Sequence, residues 1–156
     1  QLAEKLGSNF KIQVIGDGGR KQQLIDTLKR YDVNNVELLP PVSRKELIEY
    51  YTQADILFLH LNDYDAFEKV LPSKIFEYAC FNKPMLAGVS GYAAKFILDN
   101  ITNSAVFKPC DVVKATQSIA RLSYDGQTRQ EFIETFSREN IMNEMSESVI
   151  SLLKIG

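Results

Sequence analysis

Apolar positions along the chain follow two alternating periods. Short runs rich in aliphatic and β-branched residues read as strands: "FKIQVIG" (Phe10–Gly16), "VELL" (Val36–Leu39), "ADILFLHL" (Ala54–Leu61), "PMLAGV" (Pro84–Val89) and "AVFKP" (Ala105–Pro109). After the first, Leu24, Ile25 and Leu28 recur at helical spacing in "KQQLIDTLKRY". Ser43, with Glu46 three residues on, makes a capping box that opens a helix running to Gln53. Further helices are expected over Ser73–Phe81, Tyr92–Leu98, Asp111–Leu122, Gln127–Phe136 and Ile141–Leu153. "ADILFLHL" is apolar without alternation, as a parallel strand covered on both faces should be.

Strands alternating with helices predict an α/β fold, a Rossmann-like parallel sheet with helices on both faces. In such sheets ligands sit beyond the carboxyl ends of the strands. No repeat or low-complexity linker interrupts the pattern, so residues 1–156 are expected to form one domain. The opening "QLAEKLG" reads as the tail of a helix with Gly7 at its C′ position. A domain rarely begins with such a tail, which points to a strand–helix unit, and a further domain, upstream.

Composition narrows the function classes. Hydrophobic residues make up 45% of the chain and charged residues 24%, ordinary values for a soluble domain. The net charge of −2 gives no electrostatic footprint for nucleic acid or anionic lipid. No apolar run is long enough to span a bilayer, the opening lacks the features of a signal peptide, and the cytoplasm is the expected compartment. Cys80 and Cys110 make neither a disulfide framework nor a zinc site, and Cys80 is expected as a buried thiol on the apolar side of its helix. With His60 the single histidine, no histidine-based metal site is expected.

Two stretches carry candidate chemistry. In "IGDGG", Gly16 and Gly18 end a strand and open the next helix, which suits close approach of the backbone to an anion. The dinucleotide fingerprint needs a third glycine where Lys21 stands, so a Rossmann dehydrogenase is disfavoured and a plain strand-to-helix turn stays open. In "LPSKIFEYA", Ser73 is the expected N-cap, leaving the N–H groups of Lys74, Ile75 and Phe76 free at the helix start. Helical spacing puts Ile75, Phe76, Ala79 and Cys80 on the core face, and Ser73, Lys74 and Glu77 together on the other. Helical side chains lean toward the N-terminus, so Glu77 reaches back to the same end. Two readings are open: a solvated carboxylate favoured by the helix dipole, or a carboxylate that accepts from the vicinal hydroxyls of a ribose whose diphosphate sits at the helix tip.

The order of "VIGDG", "LLPPVSRKELIEYYTQADILFLHL", "LPSKIFEYACFNKPMLAGVSGYAAKFI" and "FKPCD" resembles the C-terminal donor-binding domain of family 4 glycosyltransferases with the GT-B fold. Within that family it is similar to bacterial enzymes that build lipopolysaccharide and capsule sugars. The resemblance runs from Phe10 to Leu153, and "LPSKIFEY" with "ADI" upstream is its specific part. It implies a retaining transferase that needs no cofactor or metal and uses a nucleoside-diphosphate sugar of UDP or GDP type. The family's Glu-x7-Glu motif aligns its second Glu, which holds the ribose hydroxyls, with Glu77. Its first Glu, on the sugar side with Val70, falls at Lys69, where this sequence departs from the pattern. The resemblance further implies that the backbone of Leu71, Pro72, Ser73 and Lys74 cradles the diphosphate, with Lys74 adding a charge. Val42 matches the residue whose main chain meets the base, and Gly16 and Gly18 line the same cleft. The family's basic pair on the first strand–helix unit has no counterpart here. An N-terminal acceptor domain outside this sequence is implied as partner, with a lipid-linked sugar acceptor at the inner face of the membrane. A sugar-nucleotide epimerase of the same architecture and a non-catalytic nucleotide-binding module are the other readings. His60 lies on the ligand edge but reads more readily as structural, and the acidic loop "NDYDAFE" reads as solvated, its place before the phosphate box making it a candidate lid. The "GVSGY" turn (Gly88–Tyr92) reads equally as a flap over the donor or a plain strand-to-helix turn, while Tyr50, Tyr51 and Tyr78 read as partly buried helix residues.

Overall fold

Five strands of four residues each pair entirely in parallel. In the computed structural model, which describes residues 1–153, they form two sheets. β1 (Ile12–Ile15) pairs with β2 (Val36–Leu39), Ile12 standing opposite Val36. β3 (Leu57–His60), β4 (Met85–Gly88) and β5 (Ser104–Phe107) form the second in that order, with His60, Gly88 and Phe107 side by side at its carboxyl end. Among the described residues each sheet has two open edges, on β1 and β2 in the first and on β3 and β5 in the second.

The chain opens with α1 (Leu2–Leu6), which Gly7 ends at φ 61°. Parallel strands require crossovers, and helices supply them: α2 (Lys21–Arg30), α3 (Arg44–Gln53), α4 (Ser73–Ala79) and α5 (Gly91–Asn100). α6 (Val112–Ile119), α7 (Gln130–Thr135) and α8 (Arg138–Leu153) follow β5. Among the described residues no helix is long and apolar enough to cross a membrane.

Side chains alternate across a strand, and β4, buried at all four positions, feeds two cores. Met85 and Ala87 face Ile75 and Ala79 of α4, Ala93 and Ile97 of α5 and Phe132 of α7. Leu86 faces the opposite way, with Ala105 and Phe107 of β5, toward Ala115 and Ile119 of α6, and Leu2 and Leu6 of α1 pack against that side. Helices therefore cover both faces of the β3–β5 sheet, as the alternation of strands and helices predicts.

The loops that enter β4 and β5 are tied together by one buried side chain. Arg129, only 4% exposed, donates to the carbonyls of Phe81 (2.6 Å), Lys83 (2.8 Å), Thr102 (3.0 Å) and Asn103 (3.3 Å). Its planar fork of donors suits four diverging carbonyls, which a lysine ammonium could not satisfy together.

Cys80 departs from expectation. α4 ends at Ala79, so Cys80 occupies the C-cap, is exposed, and turns its thiol to the Phe76 carbonyl at 3.2 Å. Partial burial of the sulfur still pushes the thiol pKa upward, with Glu77 adding to it.

Candidate functional site

Two helices that each follow the carboxyl end of a strand exchange side-chain contacts. The first is α3, opened by the expected capping box: Glu46 N–H donates to Ser43 Oγ at 3.3 Å, and Ser43 N–H donates to Glu46 Oε2 at 2.8 Å. Half-buried Val42 precedes the cap, and Arg44 is the first helical residue. The second is α4. Its N-cap is Pro72, at φ −67° and ψ 135°, and Ser73 is already helical, with an exposed side chain that makes no capping bond. The expected Ser73 cap is therefore corrected: proline's ring fixes a φ suited to the extended residue before a helix, and the helix starts one residue early. The Ile75 N–H, expected to be free, donates to the Pro72 carbonyl at 3.0 Å.

The face of α4 that carries Ser73, Lys74 and Glu77 is as the helical spacing places it. Lys74 Nζ lies 2.7 Å from Glu77 Oε2, one turn along the helix. The same ammonium donates to the Tyr51 hydroxyl at 2.8 Å, which α3 delivers from 23 positions earlier. Tyr51 is 6% exposed, and its ring meets those of Tyr78 and Phe81 edge-on, each at 5.2 Å. Lys74 Nζ also stands 5.8 Å from the Tyr78 ring centre, within cation–π range. Burial opposes the charge on Lys74, but the hydrogen bonds to Glu77 and Tyr51 outweigh it and raise the ammonium above its ordinary pKa. Burial, reinforced by Tyr51, pushes the Tyr78 phenol up to about 12. On the open side Arg44 Nη1 comes within 3.9 Å of Glu77 Oε1.

Sequence reasoning found Lys74 and Glu77 but not Tyr51 or Arg44. Both were present as signals: Leu47 and Tyr51 share a helix face, and Arg44 lies two residues after Val42. Neither spacing says that side chains of α3 reach α4.

The remaining candidates lie nearby in different relations to this cluster. Gly16, at φ 140°, occupies backbone space that favours glycine, and its N–H donates to the Leu39 carbonyl at 3.1 Å. The Gly18 carbonyl accepts from Lys21 N–H at 2.9 Å. Both therefore sit at the carboxyl end of β1, beside the end of β2 that leads into Val42 and α3. Leu71 packs on the core below α4. Lys69 closes a single 3-10 turn, Asp65–Lys69, within the acidic loop, and it and Val70 are exposed. Neither side chain bonds to Glu77 among the described residues.

A second feature occupies the carboxyl end of the β3–β5 sheet. Asp63, Glu68, Ser90, Lys108, Cys110 and Asp111 line a cavity of 420 Å³. At the same end of the sheet the rings of His60 and Phe107 close over Gly88, where a Cβ would fall 2.7 Å from Phe107 Cζ. His60 Nε2 accepts from the Cys110 N–H at 3.2 Å, and burial lowers the imidazole pKa, so this histidine is a neutral acceptor that shapes the loop.

A family model described as Glycosyl transferases group 1 matches residues 1–138. Among solved structures, AviGT4, a glycosyltransferase involved in avilamycin A biosynthesis, matches with a TM-score of 0.70 at 14% identity. The match covers 99% of this chain and 46% of that one, so the chain spans about half the length of AviGT4. At this identity the likeness shows the fold, the C-terminal Rossmann-like domain of the GT-B architecture. No curated protein sequence matches the chain.

Proposed function

Because this chain belongs to the glycosyl transferases group 1 family, we propose that it is the nucleotide-sugar-binding domain of a retaining, metal-independent family 4 glycosyltransferase acting in cell-surface polysaccharide synthesis. The observation that carries the reading is the placement of Glu77. Its carboxylate stands at the strand carboxyl edge between Lys74 and Arg44, where the hydroxyls of a ribose can reach it. In this reading the backbone from Leu71 to Lys74 meets the diphosphate, Val42 the base, and Gly16 and Gly18 the same cleft. Catalysis would consist of holding the donor in place and stabilising the leaving diphosphate.

The domain organisation is part of the proposal. Among the described residues β1 and β3 each have an edge without a strand partner, and Val14 and Phe58 on them are 41% and 38% exposed. A further strand with its helix between these edges would pair both and cover both side chains. An N-terminal domain would supply the acceptor site, a lipid-linked sugar its acceptor, and the inner face of the membrane its location. Residues 1–156 alone are then expected to transfer no sugar. Exposed Lys69, in place of the sugar-side carboxylate, favours a second reading, a nucleotide-binding module without transfer activity.

Calorimetric titration of UDP and GDP against the wild type and Glu77→Ala tests the core of the proposal. Loss of charge-assisted hydrogen bonds predicts a fall in affinity of roughly 10- to 100-fold. Equal affinities would remove the ribose contact.

A further inference from the structure

The resemblance assigns Lys74 to the donor diphosphate, but its surroundings point elsewhere. An ammonium has three donors. Two of them are spent at short range, on the Tyr51 hydroxyl at 2.8 Å and on Glu77 Oε2 at 2.7 Å. The Tyr78 ring also lies 5.8 Å from the same nitrogen. Pulling Lys74 toward an anion would strip the buried Tyr51 hydroxyl of its partner and unpair Glu77, and both losses cost free energy. The Lys74–Glu77 pair is also neutral as a unit, so it offers a diphosphate no spare charge.

What the arrangement does accomplish is to fix one oxygen of a carboxylate. Oε2 of Glu77 is held by the ammonium. Oε1 faces Arg44 at 3.9 Å, an ion-pair distance too long for a hydrogen bond, and so keeps its lone pairs for other donors. Tyr51 is anchored in turn by edge-on contacts with Tyr78 and Phe81, which makes it a rigid post. We propose that Tyr51 and Lys74 are positioning residues for Glu77: Tyr51 holds the ammonium, and the ammonium holds the carboxylate so that Oε1 meets the ribose hydroxyls. This rests on the reading of Glu77 as the ribose contact and adds the chain of residues that orients it.

The test uses the full-length protein that carries this chain. UDP, GDP, UMP, GMP and the 2′,3′-dideoxy forms of the diphosphates are titrated by calorimetry against wild type, Tyr51→Phe, Lys74→Met and Glu77→Ala. Tyr51→Phe removes one oxygen and keeps the ring, and its fold is checked by circular dichroism. The expected result is a loss of about 2- to 10-fold for the preferred diphosphate in Tyr51→Phe and Lys74→Met. That loss disappears with the dideoxy nucleotide, and the ratio of diphosphate to monophosphate affinity stays at its wild-type value. A Lys74→Met penalty confined to diphosphates would make Lys74 a phosphate contact and overturn the inference. An equal Tyr51→Phe penalty on ribose and dideoxy forms would reduce Tyr51 to a packing role and do the same. Wild-type affinity in Tyr51→Phe and Lys74→Met, alongside weak binding by Glu77→Ala, would sink the inference while sparing the ribose contact. If the wild type binds neither UDP nor GDP, or Glu77→Ala binds as the wild type does, the reading of Glu77 itself fails and the inference goes with it.

Discussion

Gly91 lies directly against the backbone of Glu68: a Cβ built on it would fall 2.7 Å from Glu68 Cα and overlap the Glu68 carbonyl. Gly91 also stands at φ 58°, a conformation that costs any other residue energy. The start of α5 is thereby locked to the 3-10 turn that leads into Lys69, Val70 and α4. Gly91→Ala should lose at least about 2 kcal/mol of stability from strain and backbone displacement together. Urea unfolding gives the loss directly, and a midpoint at the wild-type value would show that the turn yields without cost.

Gly18 makes the opposite case. No atom lies within 4 Å of a Cβ added there, and its φ is outside the left-handed region. Gly18→Ala should leave stability unchanged or raise it by about 0.4–1 kcal/mol through the unfolded chain. If the backbone of this turn approaches the donor as proposed, the same variant should bind UDP or GDP more weakly. Unaltered affinity would detach Gly18 from the cleft while leaving the fold untouched.

Much of this architecture was legible from local pattern. Apolar runs located all five strands, and the Ser43–Glu46 box fixed the start of α3 because its parts lie within one turn. That Lys74 and Glu77 share a face followed from helical spacing for the same reason, but not that they pair with each other. Tyr51 was read as a partly buried helix residue, and its bond to Lys74 depends on how α3 packs against α4. Helical spacing continued through Phe81 puts Cys80 on the core face, whereas the helix stops at Ala79 and the thiol swings to a carbonyl. The division of the strands into two sheets was not legible either, since periodicity identifies strands without naming their neighbours.

Arg129 shows the same limit at its largest, because its four carbonyl partners lie 26 to 48 positions away. Replacing it with Ala leaves those carbonyls without their donor in a buried setting, for a loss of roughly 2–4 kcal/mol. Arg129→Lys should recover only part, since an ammonium cannot reach four diverging acceptors. Both variants loosen the loops entering β4 and β5, so amide exchange at Met85 and Ala105 should accelerate with the loss of stability. Wild-type stability in the Ala variant would mean that water replaces the guanidinium at no cost.

His60 gives the fold a pH dependence whose sign can be worked out. Its Nε2 accepts the Cys110 N–H, a role open only to the neutral ring, and burial lowers its pKa from the ordinary 6.5. Above pH 6.5 the site is neutral in both the folded and unfolded chain, and its contribution to stability is complete. Below that pH the unfolded chain takes up a proton that the folded chain resists, so the unfolded state binds more protons. Stability from this site is therefore lost as pH falls from 6.5 through the lower folded value, and the loss levels off below it. Gln at position 60 cannot titrate but keeps an acceptor. The stability of the wild type minus that of His60→Gln, measured by urea unfolding at each pH, should decline between pH 7.5 and 5. Other titrating groups near the cavity, Asp63, Glu68, Lys108 and Asp111, are common to both proteins and largely cancel in that difference. A difference that stays level across the window, or rises as pH falls, would show that the folded ring accepts its proton as readily as the unfolded one.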